Sequence, residues 1–416
     1  MSRKTEEELR AGRHFCILPW ISFSLHPQGE LRPCCSSGYG YSYGSVRTRK
    51  IESVWNDEPA RKMRLELLRD RPVPQCQGCY HLERIGAPSQ RQDVNARFGS
   101  AFERIKRTRK DGSVPLEPFL YLDLRFSNVC NFKCRICRSE YSVSWAEDER
   151  KLGRRPAKRT FATKSPQALR EFLNESVPFV QRVYFAGGEP LMEEEHYLFL
   201  EKLLAAGRTD VELIYNSNFS MLSHGKWNAL ELWSRFRSVA VLASLDGVGP
   251  QGEYLRKGMV WPRIEENFWK LRQLAPHVHF AVYSTITAMN AFHLTDAIRH
   301  WLRIGMITEL RIPYVNALRS PNYLHIGIFS GKERAALKRH YRDFLKSIRS
   351  EISEDLLAAI ESCLQQVLGS YGPSLPPGDR RDLRHKFAFE TSKLDAIRGE
   401  SFQKLFPELS ELVGFA

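Results

Sequence analysis

From Phe119 to Pro313 the chain alternates apolar, β-branched runs with amphipathic ones, and this alternation constrains the fold more than any other feature. Strands are expected at FLYLDLRF, QRVYFA, VELIYN, SVAVLAS, VHFAVYST and TELRIP. Between them, segments such as Glu193 to Ala206 and Pro262 to Leu274 repeat apolar residues at three- and four-residue steps, the spacing of one helix face. Six such units read as α/β, a partial parallel (β/α)6 barrel with right-handed crossovers. The loops at the C-terminal ends of barrel strands carry the chemistry, so the residues just after each expected strand are where function is sought.

The first such loop holds Cys130-x3-Cys134-x2-Cys137 in the run FSNVCNFKCRICRSE. A 4Fe-4S cubane in an electron carrier uses four thiolates, so three without a nearby fourth would hold three irons and leave one open. The same trio also suits half of a zinc site. The second strand runs into Gly187, Gly188 and Glu189, where two glycines let a ligand approach the backbone. LIYNSN ends the third strand at Asn216 to Asn218, VLASLDG the fourth at Ser244 to Gly247, and Arg256 stands downstream in EYLRKGMVW. Asn218 and Ser244 also suit plain strand-end capping, and Arg256 a surface position.

Together the cysteine trio, GGEP and SLDG resemble the radical S-adenosylmethionine (SAM) superfamily. The resemblance implies a 4Fe-4S cluster on Cys130, Cys134 and Cys137, with the amine and carboxylate of SAM on the fourth iron. It implies that Gly187, Gly188 and Glu189 orient SAM, with Asn218, Ser244 and Arg256 near SAM or substrate. The implied reaction is reductive cleavage of SAM to a 5′-deoxyadenosyl radical that abstracts hydrogen from a substrate, fed by an external one-electron donor of flavodoxin or ferredoxin type. Ile136 stands where the superfamily usually has an aromatic, a departure that bears on packing around the adenine and not on ligation.

A second thiol set lies in the N-terminal hundred residues: Cys16, Gly29 and Cys34 read as C-x12-G-x4-C, followed by Cys76-x2-Cys79. Four thiolates complete a cubane or a zinc knuckle equally well. FCILPW, PQGELRPCC, VWN at Val54 to Asn56 and QCQGCY resemble the twitch (shortened SPASM) module, which implies an auxiliary 4Fe-4S cluster. In the best-known families that module follows the barrel, whereas here it precedes it. Two of the nine cysteines remain: Cys35, which adjoins Cys34 and could replace it, and Cys363, which reads as a core residue of a helix.

The expected organisation is a polar tail at 1–14, a twitch domain at 15–101, a basic linker at 102–118, the barrel at 119–320 and a helical region at 321–416. In the last, ERAALKRHYRDFLKSI and EDLLAAIESCLQQVL read as amphipathic helices and SYGPSLPPGDRR as a loop. With 62 basic and 48 acidic residues the net charge is +14, concentrated in runs such as RIKRTRKDG, KLGRRPAKR and RRDLRHK. Such a surface suits RNA or an acidic peptide or metabolite, although no RNA-recognition motif is present and a solvated charged surface is the plainer reading. The start lacks an apolar signal core and no run reaches the length of a membrane span. Cysteines in metal-like spacings suit a reducing compartment, so a cytoplasmic protein without membrane contact is expected.

The resemblance points to redox modification of a peptide or of a small polar, sugar- or cyclitol-like metabolite; the short segment before Cys16 leaves no room for a fused leader-binding domain. Two other readings stay open: a radical SAM enzyme that modifies RNA, and a non-catalytic adaptor with a four-cysteine zinc module.

Overall fold

The computed structural model describes residues 4–38, 40–84, 86, 88–318, 320–370 and 377–413. Its strands in chain order are β1 (Ser22–Leu25), β2 (Glu30–Arg32), β3 (Gly44–Ser45), β4 (Tyr121–Leu124), β5 (Lys133–Cys134), β6 (Arg182–Phe185), β7 (Glu212–Ser217), β8 (Ser223–His224), β9 (Trp227–Asn228), β10 (Val239–Ser244), β11 (Arg256–Lys257), β12 (His279–Ile286) and β13 (Tyr314–Ala317). The chain forms two compact units, 1–128 with 159–214 and 235–238, and 129–158 with 215–234 and 239–416.

In the first unit the order is β3-β2-β1-β4-β6. β1 and β2 form an antiparallel hairpin, turning at Gly29, whose φ of +83° and a would-be Cβ 2.4 Å from Arg47 Cγ both demand glycine. β1 then pairs in parallel with β4, and β4 with β6. The N-terminal hairpin therefore continues the parallel sheet. Phe23, Trp55, Phe119 and Phe172 pack edge-on or tilted into one cluster, with Phe23 and Phe119 ring centroids 4.6 Å apart.

The basic run after Phe102 packs onto the same unit. Ile105, Thr108, Ser113 and Val114 are buried, Trp20 Nε1 donates to Thr108 Oγ1 at 2.9 Å, and Val114 N donates to Asn56 Oδ1 at 2.9 Å. Fully buried Arg64 donates to the carbonyls of Pro19 and Trp55, both at 2.9 Å, and to Asn56 Oδ1 at 3.1 Å, so its charge is hydrogen-bonded inside the core.

In the second unit β10, β12 and β13 run parallel, with Ser244 opposite Tyr283 and Tyr283 opposite Tyr314. The helices expected over 193–206 and 262–274 are Glu194–Ala205, in the first unit, and Trp261–Leu274. The strand expected at TELRIP is a correction: Thr308 and Arg311 close a turn, Leu310 is 81% exposed, and the sheet strand is YVNA, beginning after Pro313. Proline has no N–H to give a ladder, so pairing starts beyond it. Helices Gly331–Ile348 and Glu354–Gly369 match the expected amphipathic runs. Of the loop expected at SYGPSLPPGDRR, residues 371–376 lie outside the described residues, and helix Pro377–Arg398 already begins within its second half. Among the described residues no helix is long and apolar enough to cross a membrane.

Candidate metal and cofactor sites

The second unit holds the cysteine trio in a loop tied down by its own side chains. Cys134 lies in β5, which pairs antiparallel with β11 so that Cys134 stands opposite Arg256. Trp145 Nε1 donates to Cys134 O at 2.9 Å, Ser144 Oγ to Cys130 O at 2.6 Å, and Cys137 N to Cys134 O at 2.9 Å. With its carbonyls engaged, the loop is shaped before any ligand arrives.

Two sequence-selected residues reach the sulfurs. Arg256 places Nη1 3.8 Å from Cys134 Sγ, and Asn218 places Nδ2 3.9 Å from Cys130 Sγ and 2.8 Å from Asn131 Oδ1. Asn218 is also a strand-end cap, since its Oδ1 accepts from Ser220 N at 3.0 Å. Arg256 is not a surface residue: it is 7% exposed and forked onto Asp246, with Nε to Oδ2 at 2.8 Å and Nη2 to Oδ1 at 3.0 Å. Asp246 is held in turn by Thr285 N at 2.8 Å. Burial pushes the Cys134 and Cys137 thiols up, Cys137 to about 12, while Arg256 pulls Cys134 back down. Ser244 ends β10 in register with Tyr283.

In the first unit, β6 ends at Phe185 and the chain turns through Gly187 and Gly188. Gly187 has φ +115°, and a Cβ there would lie 2.9 Å from Arg125 Cβ. Gly188 N donates to Ser127 O at 3.2 Å. Glu189 is 2% exposed and accepts from Leu191 N at 3.2 Å, capping the short helix Pro190–Met192.

The N-terminal thiols also gather. Cys34 is raised by burial and by the charges of Cys35, Cys16, Cys76 and Cys79, and Cys16 by burial and by Cys76 and Cys79. Cys35 instead lies among Asp123, Arg125, Ser36 and Gln90, and burial holds it near 11. Arg91, which the sequence reading did not single out, donates to Glu83 through Nε at 2.9 Å and Nη2 at 2.6 Å, and to Phe15 O through Nη1 at 2.9 Å. Its charge draws Cys16, Cys76 and Cys79 down against burial. Among the described residues no three His, Cys, Asp or Glu side chains close at single-ion geometry. The fit to a metal group rests on the donor set: four neighbouring thiols in one unit, three in the other, and a fixed cation beside each. Cys363, the remaining thiol, is buried and donates to Pro313 O at 3.0 Å.

Residues 16–80 match the SPASM family, an iron-sulfur cluster-binding domain. A GTP 3′,8-cyclase of Aliarcobacter butzleri (strain RM4018) is 29% identical over 104 residues. Residues 16–80 are thus similar to a SPASM-type iron-sulfur cluster-binding domain. The cyclase alignment takes in 25% of this chain and 28% of the relative, so the chain spans little more than a quarter of the curated relative it matches. Among solved structures, anSMEcpe with bound AdoMet is 15% identical at a TM-score of 0.39, covering 54% of this chain and 60% of that one. Streptococcus suis SuiB bound to S-adenosylmethionine is 14% identical at 0.40, covering 80% and 70%.

Proposed function

We propose that this protein is a SPASM-type radical SAM enzyme of the reducing cytoplasm. Cys130, Cys134 and Cys137 hold the SAM-binding 4Fe-4S cluster, Cys16, Cys34, Cys76 and Cys79 an auxiliary one, and the substrate is a peptide or a small polar metabolite. The observation that carries this is the trio loop, with Arg256 against Cys134 and Asn218 against Cys130.

When bound, SAM and its cluster, reduced by a flavodoxin- or ferredoxin-type donor, supply a 5′-deoxyadenosyl radical that abstracts hydrogen from an unactivated carbon. The remaining work belongs to the chain. A thiol must shed its proton to ligate iron, and Arg256, permanently charged and fixed by Asp246, favours the thiolate at Cys134. Asn218 holds the Cys130–Asn131 corner. Gly187, at φ +115°, packs its backbone closely against Arg125, where a side chain would clash. In the first unit Arg91 does for Cys16, Cys76 and Cys79 what Arg256 does for Cys134.

The test is anaerobic reconstitution with iron and sulfide, then iron counting and assay for 5′-deoxyadenosine after dithionite and SAM. About eight irons per chain, with nucleoside formation lost in Cys134→Ala, is the expected result. About four irons with one zinc and cleavage retained removes the auxiliary cluster, and no cleavage by fully reconstituted protein removes the enzyme reading.

A further inference from the structure

The first unit carries a cleft of about 1070 Å3 that the thiol sites above do not use. Its walls are residues 10–14, which lead to Cys16, the helix Gln77–Arg84, and the helix Gln90–Arg97. Clefts that take small molecules run from about 300 to 1,000 Å3, so there is room for an organic ligand and not just for one ion. Tyr80 OH donates to His14 O at 3.1 Å and Arg91 Nη1 to Phe15 O at 2.9 Å, which ties the two helices to the 10–14 wall.

Among the described residues Arg10, Arg13, Arg84 and Arg91 line this cleft against a single acid, Glu83. Glu83 is spent on Arg91, at 2.9 and 2.6 Å, and on Ser89 Oγ. Arg10 is settled as well: it pairs with Glu6 at 2.7 Å, donates to Gly99 O at 2.6 Å and lies 4.0 Å over the Phe102 ring. Asp70 accepts from the backbone N–H groups of Arg13, His14 and Phe15, which fixes the wall and leaves the Arg13 guanidinium to the cleft. Arg13 and Arg84 are exposed, and among the described residues neither guanidinium has a hydrogen bond or an ion pair. A single exposed arginine is a solvated surface group. Two that share a concave surface whose acids are already taken focus a positive field on the space between them.

The chemistry of the set narrows the partner. A guanidinium is a rigid planar fork that matches two oxygens of one carboxylate or phosphate, and two forks suit a molecule with two such groups. Gln92 adds a neutral donor: its Oε1 is taken by Ser89 N at 3.1 Å, which leaves its NH2 for the cleft.

We infer that this cleft binds a small organic anion with two or more oxyanion groups, phosphate ester or carboxylate, held between Arg13 and Arg84. No cysteine lines the cleft among the described residues, and the inference does not rest on the radical SAM reading: protein that never cleaves SAM would still bind the anion.

The experiment titrates reconstituted full-length protein with fructose 1,6-bisphosphate and with tricarballylate, using acetate and fructose as the singly charged and neutral controls. Binding is read by isothermal titration calorimetry at low ionic strength, where exposed charges are least screened. At least one of the two multivalent anions is expected to bind, and acetate and fructose are not. Arg84→Gln and Arg13→Gln are each expected to weaken binding by about tenfold or more, with Tm and iron content undiminished because neither guanidinium has a partner in the fold to lose. Binding of the bisphosphate alone assigns phosphate esters, of tricarballylate alone carboxylates, and of both the shared oxyanion chemistry. Amide exchange slowed over residues 10–16 and 77–84 on binding locates the anion in the cleft. Binding of neither anion, acetate binding as tightly as they do, undiminished binding in either variant, or exchange protection confined to other segments overturns the inference.

Discussion

Beside each thiol set stands an arginine pinned by a carboxylate: Arg256 on Asp246 in one unit, Arg91 on Glu83 in the other. A guanidinium keeps its charge at any working pH, and its fork matches a carboxylate, so such a pair delivers a positive charge at a fixed place. Asp246→Asn breaks the fork and leaves Arg256 buried without its counter-charge; urea unfolding of the second unit is expected to show a loss of about 3–5 kcal/mol. Gly187→Ala forces an L side chain into φ +115° against Arg125. Strain of that kind costs about 1–3 kcal/mol, to be read as a fall in Tm together with weakened SAM binding by isothermal titration. Arg256 was visible in the sequence as a candidate, and Asp246 lay unremarked inside the SLDG run. Arg91 had no signal at all, because Glu83 sits eight residues earlier, on a different helix.

Two elements decide whether the cysteine loops hold their shape. Helix Pro377–Arg398 and the turn after it bring Asp395, Arg398 and Glu400 to the trio loop: Arg135, next to Cys134, donates to Asp395 at 2.5 Å and Glu400 at 2.6 Å, and Arg398 to Asp148 at 2.8 Å and Lys133 O at 2.8 Å. Asp395 also accepts from Tyr254 OH and Phe402 N, so Asp395→Ala strands several buried donors. A loss of about 3–5 kcal/mol is expected, with faster amide exchange over residues 130–137 as the specific readout. In the first unit Asp70 clips the segment leading to Cys16. Burial would raise its carboxyl, but the N–H groups of His14, Arg13 and Phe15 hold it below the usual range. A depressed folded pKa contributes stability above the unfolded value of about 3.9, and that contribution fades as pH falls through the folded value. Acid titration is therefore expected to loosen the Cys16 segment below about pH 4, and Asp70→Asn to remove that acid-side transition while lowering stability at neutral pH.

At the scale of the whole molecule the chain divides into two compact units, each with its own thiols. Cys34→Ser is expected to halve the iron after reconstitution from about eight to about four per chain, while Cys35→Ser leaves about eight; iron and sulfide analysis with Mössbauer spectra checks both. The α/β class, five of the six strands and the two thiol sets were readable from the chain alone, because strand and helix periods and the short spacings C-x3-C-x2-C and C-x2-C are local and act over a few residues. The same locality misplaced the last strand, where a run of suitable residues at TELRIP lost to a turn and a proline. What only the tertiary structure decided is everything that depends on residues far apart in the chain meeting. It set the N-terminal hairpin onto β4, chose Asp246 and Glu83 as anchors for the arginines, and aligned Ser24, Asp123 and Tyr184 in one row. Spacing along a chain fixes neighbours within a turn or a strand, but the partner of a buried charge is chosen by packing and desolvation, which are properties of the folded sheet and its helices.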